Sequence, residues 1–301
     1  MNKPLISFLL LTYNQENYIQ DAINGALAQT YSPLEIIISD DCSTDGTYHK
    51  IEEIVSGYNG PHKIILNKNP KNLGIAQHFN VVCEIANGEI LMAAAGDDVS
   101  LPDRALRTYE ILANNPTAVA VSFHSIICDE KLNYTKDSFK PSSNRSVSCF
   151  NINDYLEFQD FIIFSGDSRA FKREVYDFFG PIKYGKDEDS TFFIRCLIYG
   201  NICYARESQV LRRWHGMNVS DINNIKRIDF DDITKQPYID IELALNKNII
   251  SLDEAKNLHY KIRNMYRIFL DQYYSKKSKW FKFIYVYPNN YLRILKNKLF
   301  H

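Results

Sequence analysis

Three apolar runs in the first hundred residues end in the same manner. Leu5–Leu11 leads into Thr12-Tyr13-Asn14, Leu34–Ile38 into Ser39-Asp40-Asp41-Cys42-Ser43, and Glu89–Ala95 into Gly96-Asp97-Asp98. Short runs bounded by polar turn residues read as buried strands. Between them the period changes. Gln15–Ala28 carries apolar residues at Tyr18, Ile19, Ala22, Ile23, Ala26 and Leu27, a helical spacing. Thr47–Val55 and Ile75–Ala86 repeat it, the second stopped by Asn87-Gly88, a left-handed cap signal. Lys63–Leu66 is a short strand, Leu101-Pro102-Asp103 opens a helix reaching Leu112, and Ala118–Cys128 is a further strand. This alternation predicts an α/β fold: a mainly parallel central sheet with helices on both faces. Ligands of such sheets sit at the carboxyl ends of the strands. Tyr13, Asp41, Asp97 and Asp98 are therefore expected around one crevice.

The pattern is less regular further on. Lys131–Ser148 is polar and rich in Ser, Asn and Lys, and reads as a long surface excursion. Phe171–Phe179 reads as a helix ended by Gly180-Pro181, and Asp189–Tyr199 as a second, with Phe192, Phe193, Cys196 and Leu197 facing the sheet. Ile202–Ala205 and Gln209–Arg213 look like strands, and beyond Asn223 the chain turns helical.

Charge sharpens that division. The formal net charge of the 301 residues is −1, yet Lys256–His301 carries eleven Lys/Arg against the single acid Asp271. The same stretch is dense in aromatics, among them Tyr260, Tyr266, Tyr273, Tyr274, Trp280 and Phe281. Such a segment suits an anionic membrane surface, and equally suits a helical appendage packed on the preceding domain; both readings stay open. Nucleic acid is not expected as a partner, since no recognition motif accompanies the charge. No apolar stretch approaches the roughly 20 residues that span a bilayer. The apolar start of the chain is followed by Thr-Tyr-Asn where a signal peptide would be cleaved, so it reads as a first strand. Six cysteines without C-x-x-C spacing are expected as reduced thiols in a cytoplasmic protein, with no zinc site.

The acidic groups suggest specific chemistry. Asp97-Asp98 can divide between ribose hydroxyls and a hard cation that keeps positions open for phosphates; alone, the pair is an ordinary turn. Asp41 can accept the ring N–H of uracil or thymine while Tyr13 lies against the base; the same segment is also a helix-capping turn. Asp189 opens a helix, where an acid is favoured by the dipole, and can also serve as a general base, with Glu188 and Arg195 beside it. His215, in Arg213-Trp214-His215, can meet a metal or a diphosphate, although a lone His ending a strand is usually structural. The first strand is followed by Thr12-Tyr13-Asn14-Gln15-Glu16-Asn17 instead of G-x-G-x-x-G, which excludes a nicotinamide-dinucleotide fingerprint.

Taken in order, Thr12-Tyr13-Asn14, Asp40–Thr47, Asn72-Leu73-Gly74, Gly96-Asp97-Asp98, Leu101-Pro102-Asp103-Arg104, Glu188-Asp189 with Arg195, and Arg213-Trp214-His215 resemble the family-two inverting glycosyltransferases of GT-A fold, over roughly residues 4–220. The resemblance implies a domain over 1–223, with a nucleotide-sugar half (1–100) and an acceptor half (101–223), followed by the basic, aromatic helical segment 224–301. It implies nucleotide contacts from Thr12, Tyr13, Asp41, Lys71 and Asp97, and Mn²⁺ or Mg²⁺ on Asp98 with His215 near it. Asp189 is implied as catalytic base, with Glu188, Arg195 and Trp214 on the acceptor side or in support. A UDP-sugar or dTDP-sugar donor is expected, with a glycan or lipid-linked saccharide acceptor in surface polysaccharide or lipopolysaccharide synthesis. A cytoplasmic location, peripheral on the inner membrane face, would follow. A catalytically silent sugar-nucleotide or glycan-binding protein on the same fold is the competing expectation. Two residues depart from the family pattern: Cys42 stands where a small Gly is common, and Gly96 where a polar residue is frequent.

Overall fold

The structure, a computed structural model, describes residues 3–134, 144–157, 166–185, 188–215 and 230–274. The elements run β1 (Ile6–Thr12), α1 (Ile19–Leu27), β2 (Leu34–Asp40), α2 (Thr47–Ser56), β3 (Lys63–Lys68), α3 (Ile75–Ile85), β4 (Ile90–Ala95), β5 (Val99–Ser100), α4 (Arg104–Asn114) and β6 (Ala118–Cys128). They continue with β7 (Val147–Phe150), α5 (Ile152–Glu157), β8 (Ala170–Lys172), α6 (Arg173–Phe179), α7 (Glu188–Tyr199), β9 (Asn201–Arg213), α8 (Phe230–Asn246) and α9 (Leu252–Tyr274).

One sheet of order β3-β2-β1-β4-β8-β6-β9-β5 runs through the molecule, with β7 also paired to β9. Its first four strands are parallel, with Leu9 of β1 opposite Ile37 of β2 and Ala93 of β4. From β8 onward it is mixed: β8 lies antiparallel to both β4 and β6, while β6 and β9 are parallel. Successive side chains of a strand point to opposite faces. Phe8, Leu10, Ile36, Ile38 and Met92 accordingly pack with α1, α2 and α4, and Leu9, Leu11, Ile37 and Leu91 pack with α3, α6 and α7. Helices thus cover both faces, as the alternation requires. Ile241 and Ala244 of α8 and Leu258 and Ile262 of α9 extend the second core, so this part of the basic segment packs on the domain. Residues 275–301, which hold Trp280 and the last lysines, lie outside the described residues, as do 135–143 within the predicted excursion. No helix among the described residues is long and apolar enough to cross a membrane.

Three expectations are corrected. Phe171–Phe179 is a strand followed by a helix: Phe171 pairs with Leu91 and Ala120, and α6 starts only at Arg173. Phe171, Val175 and Phe179 keep helical spacing, which hides a three-residue strand. The two predicted strands after Asn201 are one, β9, with a register shift opposite Phe123 and His124 of β6. The cysteines are not all reduced: Cys149 and Cys203 face each other across β7 and β9 with Cα atoms 4.0 Å apart and are joined as a disulfide, while Cys42, Cys83, Cys128 and Cys196 are free. Facing positions of an antiparallel pair lie close enough for this, but only the register reveals it.

Candidate functional site

The carboxyl ends of β1 and β2 form one side of the site. Thr12 is buried; its hydroxyl donates to Gln15 Oε1 (2.7 Å) and its carbonyl accepts the Asp41 N–H (2.9 Å). Tyr13 follows with its side chain 43% exposed. Gly96, at the end of β4, comes so near this turn that a Cβ there would lie 2.7 Å from Thr12 Cβ. The polar residue expected at that position has no room. Cys42, the other departure, sits at φ +62°, a left-handed conformation that Gly adopts without the Cβ penalty.

Asp40 and Asp41 have separate duties. Asp40 caps the turn, accepting the Ser43 N–H (2.9 Å) and its hydroxyl. Asp41 faces the opposite way, onto the loop before α3. Its Oδ1 accepts Asn69 Nδ2 (2.7 Å) and the Leu73 N–H (2.9 Å), and Oδ2 accepts the Gly74 N–H (2.9 Å). Two carboxylate oxygens offer about four lone pairs, so Oδ2 retains capacity for one more donor. A largely buried chain backs this arrangement, only Asn67 in it being half-buried: Asn69 Oδ1 accepts from Asn67, whose Nδ2 also donates to Ser39 Oγ (2.9 Å), itself 2.6 Å from His78 Nε2. Burial lowers the His78 pKa against the opposing pull of Asp41 and Asp40. Lys71 is exposed on the same loop.

The ends of β4 and β9 supply the centre. Asp98 Oδ1 accepts the Arg213 N–H (2.8 Å), and Asp97 Oδ2 lies 3.0 Å from His215 Nε2. Arg213 ties the turn together: Nε donates to the Asp97 carbonyl (2.9 Å), Nη2 to Asp21 (2.8 Å), and its guanidinium lies over Tyr18. Tyr18 also stacks on His215, ring centroids 4.8 Å apart. Trp214, half-buried, donates its backbone N–H to the Cys128 carbonyl (2.8 Å). Burial, and then the charges of Asp97 and Asp167, push the Asp98 pKa well above the usual carboxylate range.

Asp167 is a member the sequence did not single out. It is buried and accepts the Ser125 hydroxyl. Arg104 of the Leu-Pro-Asp-Arg run is fully buried beside these acids, donating to Ser100 Oγ (2.8 Å) and the Ala93 carbonyl (2.6 Å). Burial draws its pKa down to about 10. The donor set can be tested against a divalent cation. Among the described residues no three His, Cys, Asp or Glu side chains form a protein-only cage. A carboxylate with a second carboxylate and an imidazole beside it is nevertheless a fitting ligand for a hard cation completed by substrate oxygens and water. Asp98 fits, with Asp97 and His215 adjoining.

The third group reaches the same sheet edge through an arginine. Glu188 and Asp189 form the first turn of α7. Arg169, buried ahead of β8, pairs with Glu188 Oε1 (3.2 Å) and Asp189 Oδ1 and lies over the Phe79 ring. The Arg169 carbonyl accepts the Ala93 N–H of β4 (3.1 Å). A Cβ on Gly166 would stand 2.5 Å from Asp189 Oδ1, so the turn before β8 closes directly on this acid. The Asp189 side chain remains 42% exposed. Arg195 does not join the pair. It is fully buried, bonded to Asp240 of α8 (2.7 and 3.2 Å) and to the Gly180 carbonyl (2.7 Å). Six residues at 3.6 per turn put Arg195 roughly 120° around α7 from Asp189, a signal present in the sequence spacing. No comparable local signal points to Arg169 or Asp167.

Relatives and solved structures share this chain's sequence pattern and fold. An uncharacterised glycosyltransferase of Haemophilus influenzae is 28% identical over 289 residues, covering 91% of this chain and 87% of the relative. The putative teichuronic acid biosynthesis glycosyltransferase TuaG of Bacillus subtilis is 30% identical over 147 residues, 47% of this chain and 55% of its own length. The crystal structure of S. aureus TarS 1–349 in complex with UDP-GlcNAc superposes with a TM-score of 0.65 at 16% identity, covering 91% of this chain and 77% of that one. Residues 7–179 match the sequence profile of glycosyl transferase family 2, and the chain belongs to that family.

Proposed function

We propose that this protein transfers a sugar from a UDP-sugar, or a dTDP-sugar, to a hydroxyl of a glycan or lipid-linked saccharide, inverting the anomeric centre. The observation that carries the reading is Asp41: three neutral donors hold its carboxylate while Oδ2 keeps capacity for a ring N–H, next to the exposed Tyr13. That pairing suits a uracil or thymine base. Thr12 and Lys71 border the same nucleoside pocket, and Asp97 takes the ribose. Similarity to TarS, solved with UDP-GlcNAc and with UDP, supports a uridine donor. Similarity to TuaG and to the abequosyltransferase RfbV of Salmonella typhimurium supports a surface-polysaccharide acceptor.

Asp98, with His215 adjoining, would hold Mn²⁺ or Mg²⁺, which when bound neutralises the departing diphosphate. The remaining work falls to the chain itself. Asp189, half-exposed and oriented by Arg169, accepts the proton of the acceptor hydroxyl as its oxygen attacks the anomeric carbon opposite the diphosphate. Transfer of the proton late in that displacement lets an aspartate serve as base. Glu188 and Trp214 belong to the acceptor side. The basic, aromatic segment 256–301, anchored on the domain through Leu258 and Ile262, would present its cations to anionic lipid on the cytoplasmic face of the membrane.

Calorimetric titration of UDP with and without Mn²⁺, on wild type and Asp98→Asn, tests the donor site. The expected result is Mn²⁺-dependent binding that the substitution removes. UDP release from UDP-sugars then separates turnover from binding alone, the outcome of a catalytically silent protein.

A further inference from the structure

The loop from Gly180 to Gly185, which leads into Glu188 and Asp189, is held on two sides by amide side chains that belong to other elements. Asn80 of α3 binds both backbone groups of Ile182: its Oδ1 accepts the N–H (2.9 Å) and its Nδ2 donates to the carbonyl (2.8 Å). Gln77 donates to the same carbonyl (2.9 Å). From the other side, Gln236 of α8 accepts the N–H groups of Lys183 (2.8 Å) and Tyr184 (3.3 Å), and Asp232 accepts that of Gly185 (3.2 Å). Gln236 is itself fixed, since its Nε2 donates to Asp240 (2.9 Å), the partner of Arg195. Asn80, Gln236, Asp240 and Arg195 are all buried.

Hydrogen bonds in such number exceed what a surface connection needs. Exposed loop backbone is satisfied by water; here the buried Asn80 and Gln236 satisfy the N–H groups of Ile182, Lys183 and Tyr184, and the half-exposed Asp232 that of Gly185. Rotating Gln236 away would release two N–H groups of the loop to solvent and take one donor from the buried Asp240, which keeps Arg195. The described loop, Gly180–Gly185, is therefore held in one path, and Gln236 also reaches α7 through Asp240 and Arg195.

We propose that Gln236 and Asn80 are positioning residues for Asp189, and that α8 is accordingly a working part of the transfer site. The proposal rests on Asp189 being the base. Neither amide touches substrate; Asn80 and Gln236 fix the Gly180–Gly185 loop, and Gln236 braces α7 through Asp240 and Arg195, so that Asp189 in the first turn of α7 meets the acceptor hydroxyl, where an error near 1 Å costs on the order of 100-fold in rate. The donor site lies on β1, β2 and β4 and is independent of α8, so the effect belongs to kcat.

The test is steady-state kinetics with UDP titration and thermal melts on Gln236→Leu, Asn80→Asp and Gln236→Glu, with Asp189→Asn as control. Gln236→Leu is expected to lower kcat by about tenfold or more while donor KM and UDP affinity stay within about twofold. Asn80→Asp retains the acceptor for the Ile182 N–H and loses the donor, so its kcat is expected to fall less. Gln236→Glu gives the sharper readout and serves if the leucine variant fails to fold. Protonated, its carboxyl reproduces both the acceptor and the donor of glutamine; ionised, it faces Asp240 with like charge. Its kcat relative to wild type should rise as pH is lowered. Wild-type kcat in a folded Gln236→Leu, or a flat pH ratio for Gln236→Glu, overturns the proposal, as does a loss of kcat and UDP affinity in parallel with melting temperature. Wild-type turnover in Asp189→Asn would instead remove the base assignment itself.

Discussion

The two halves of this molecule hold their acids by different means. Asp41, in the parallel half, is bound by neutral amides: two backbone N–H groups and Asn69. Asp189, in the mixed half, is bound by the guanidinium of Arg169. Neutral donors satisfy a carboxylate and leave its charge available to a ligand's N–H. A cationic partner orients a carboxylate and keeps it ionised, ready to accept a proton. The difference follows from topology. In the parallel half the carboxyl ends of β1, β2 and β4 lie side by side, so turn backbone is close at hand. In the mixed half β8 is antiparallel, and its start, not its end, reaches this edge, carrying a long side chain across the gap.

Substitutions can break that contrast. The largest effect is expected at Asp189: Asp189→Asn should reduce kcat by about 10²–10⁴ with UDP affinity unchanged, measured by UDP release and calorimetry. Arg195→Met should act on stability. It leaves Asp240 buried without its cation, a loss of about 3–5 kcal/mol seen as a lower denaturant midpoint. Asp41→Asn is expected to do both, modestly. One oxygen becomes a donor facing donors, which costs about 1–3 kcal/mol of stability and weakens UDP while sparing the turnover of bound donor; an unaltered UDP affinity would break the comparison.

The smallest effect is a pH dependence in the donor half. His78 has its pKa lowered by burial, so between that value and the ordinary 6.5 the unfolded chain binds the extra proton and the folded chain does not. Stability should rise with pH across this window and level off above it. Melting temperatures from pH 5 to 8 would show the slope, and His78→Gln should flatten it.

These contrasts also explain what was legible in the sequence. Strands β1, β2 and β4 announce themselves as apolar runs, and the acids just beyond them inherit a position from the sheet. The acids of the other half inherit theirs from contacts between distant segments. Arg169 meets Asp189 twenty residues later only because β8, three residues long and masked by a helical spacing, fits between β4 and β6. Asp167 has no neighbouring pattern that marks it. The Cys149–Cys203 pairing depends on a β7–β9 register that no local periodicity encodes. Arg195 is legible in part, since its angle around α7 differs from that of Asp189, but its partner Asp240 lies on α8, which no local spacing brings to it.

Helix α3 gives the molecule an internal gauge. Its N-terminal Gly74 is fastened to Asp41, and Asn80, six residues on, is fastened to Ile182. At 1.5 Å per residue this is a fixed span of about 9 Å. The spacing between Asp41 and the Gly180–Gly185 loop is thereby written into a rigid rod and not into loop length. A change in the length of the connection before Gly180 would leave that span as it is, because the helix and its two end contacts set it.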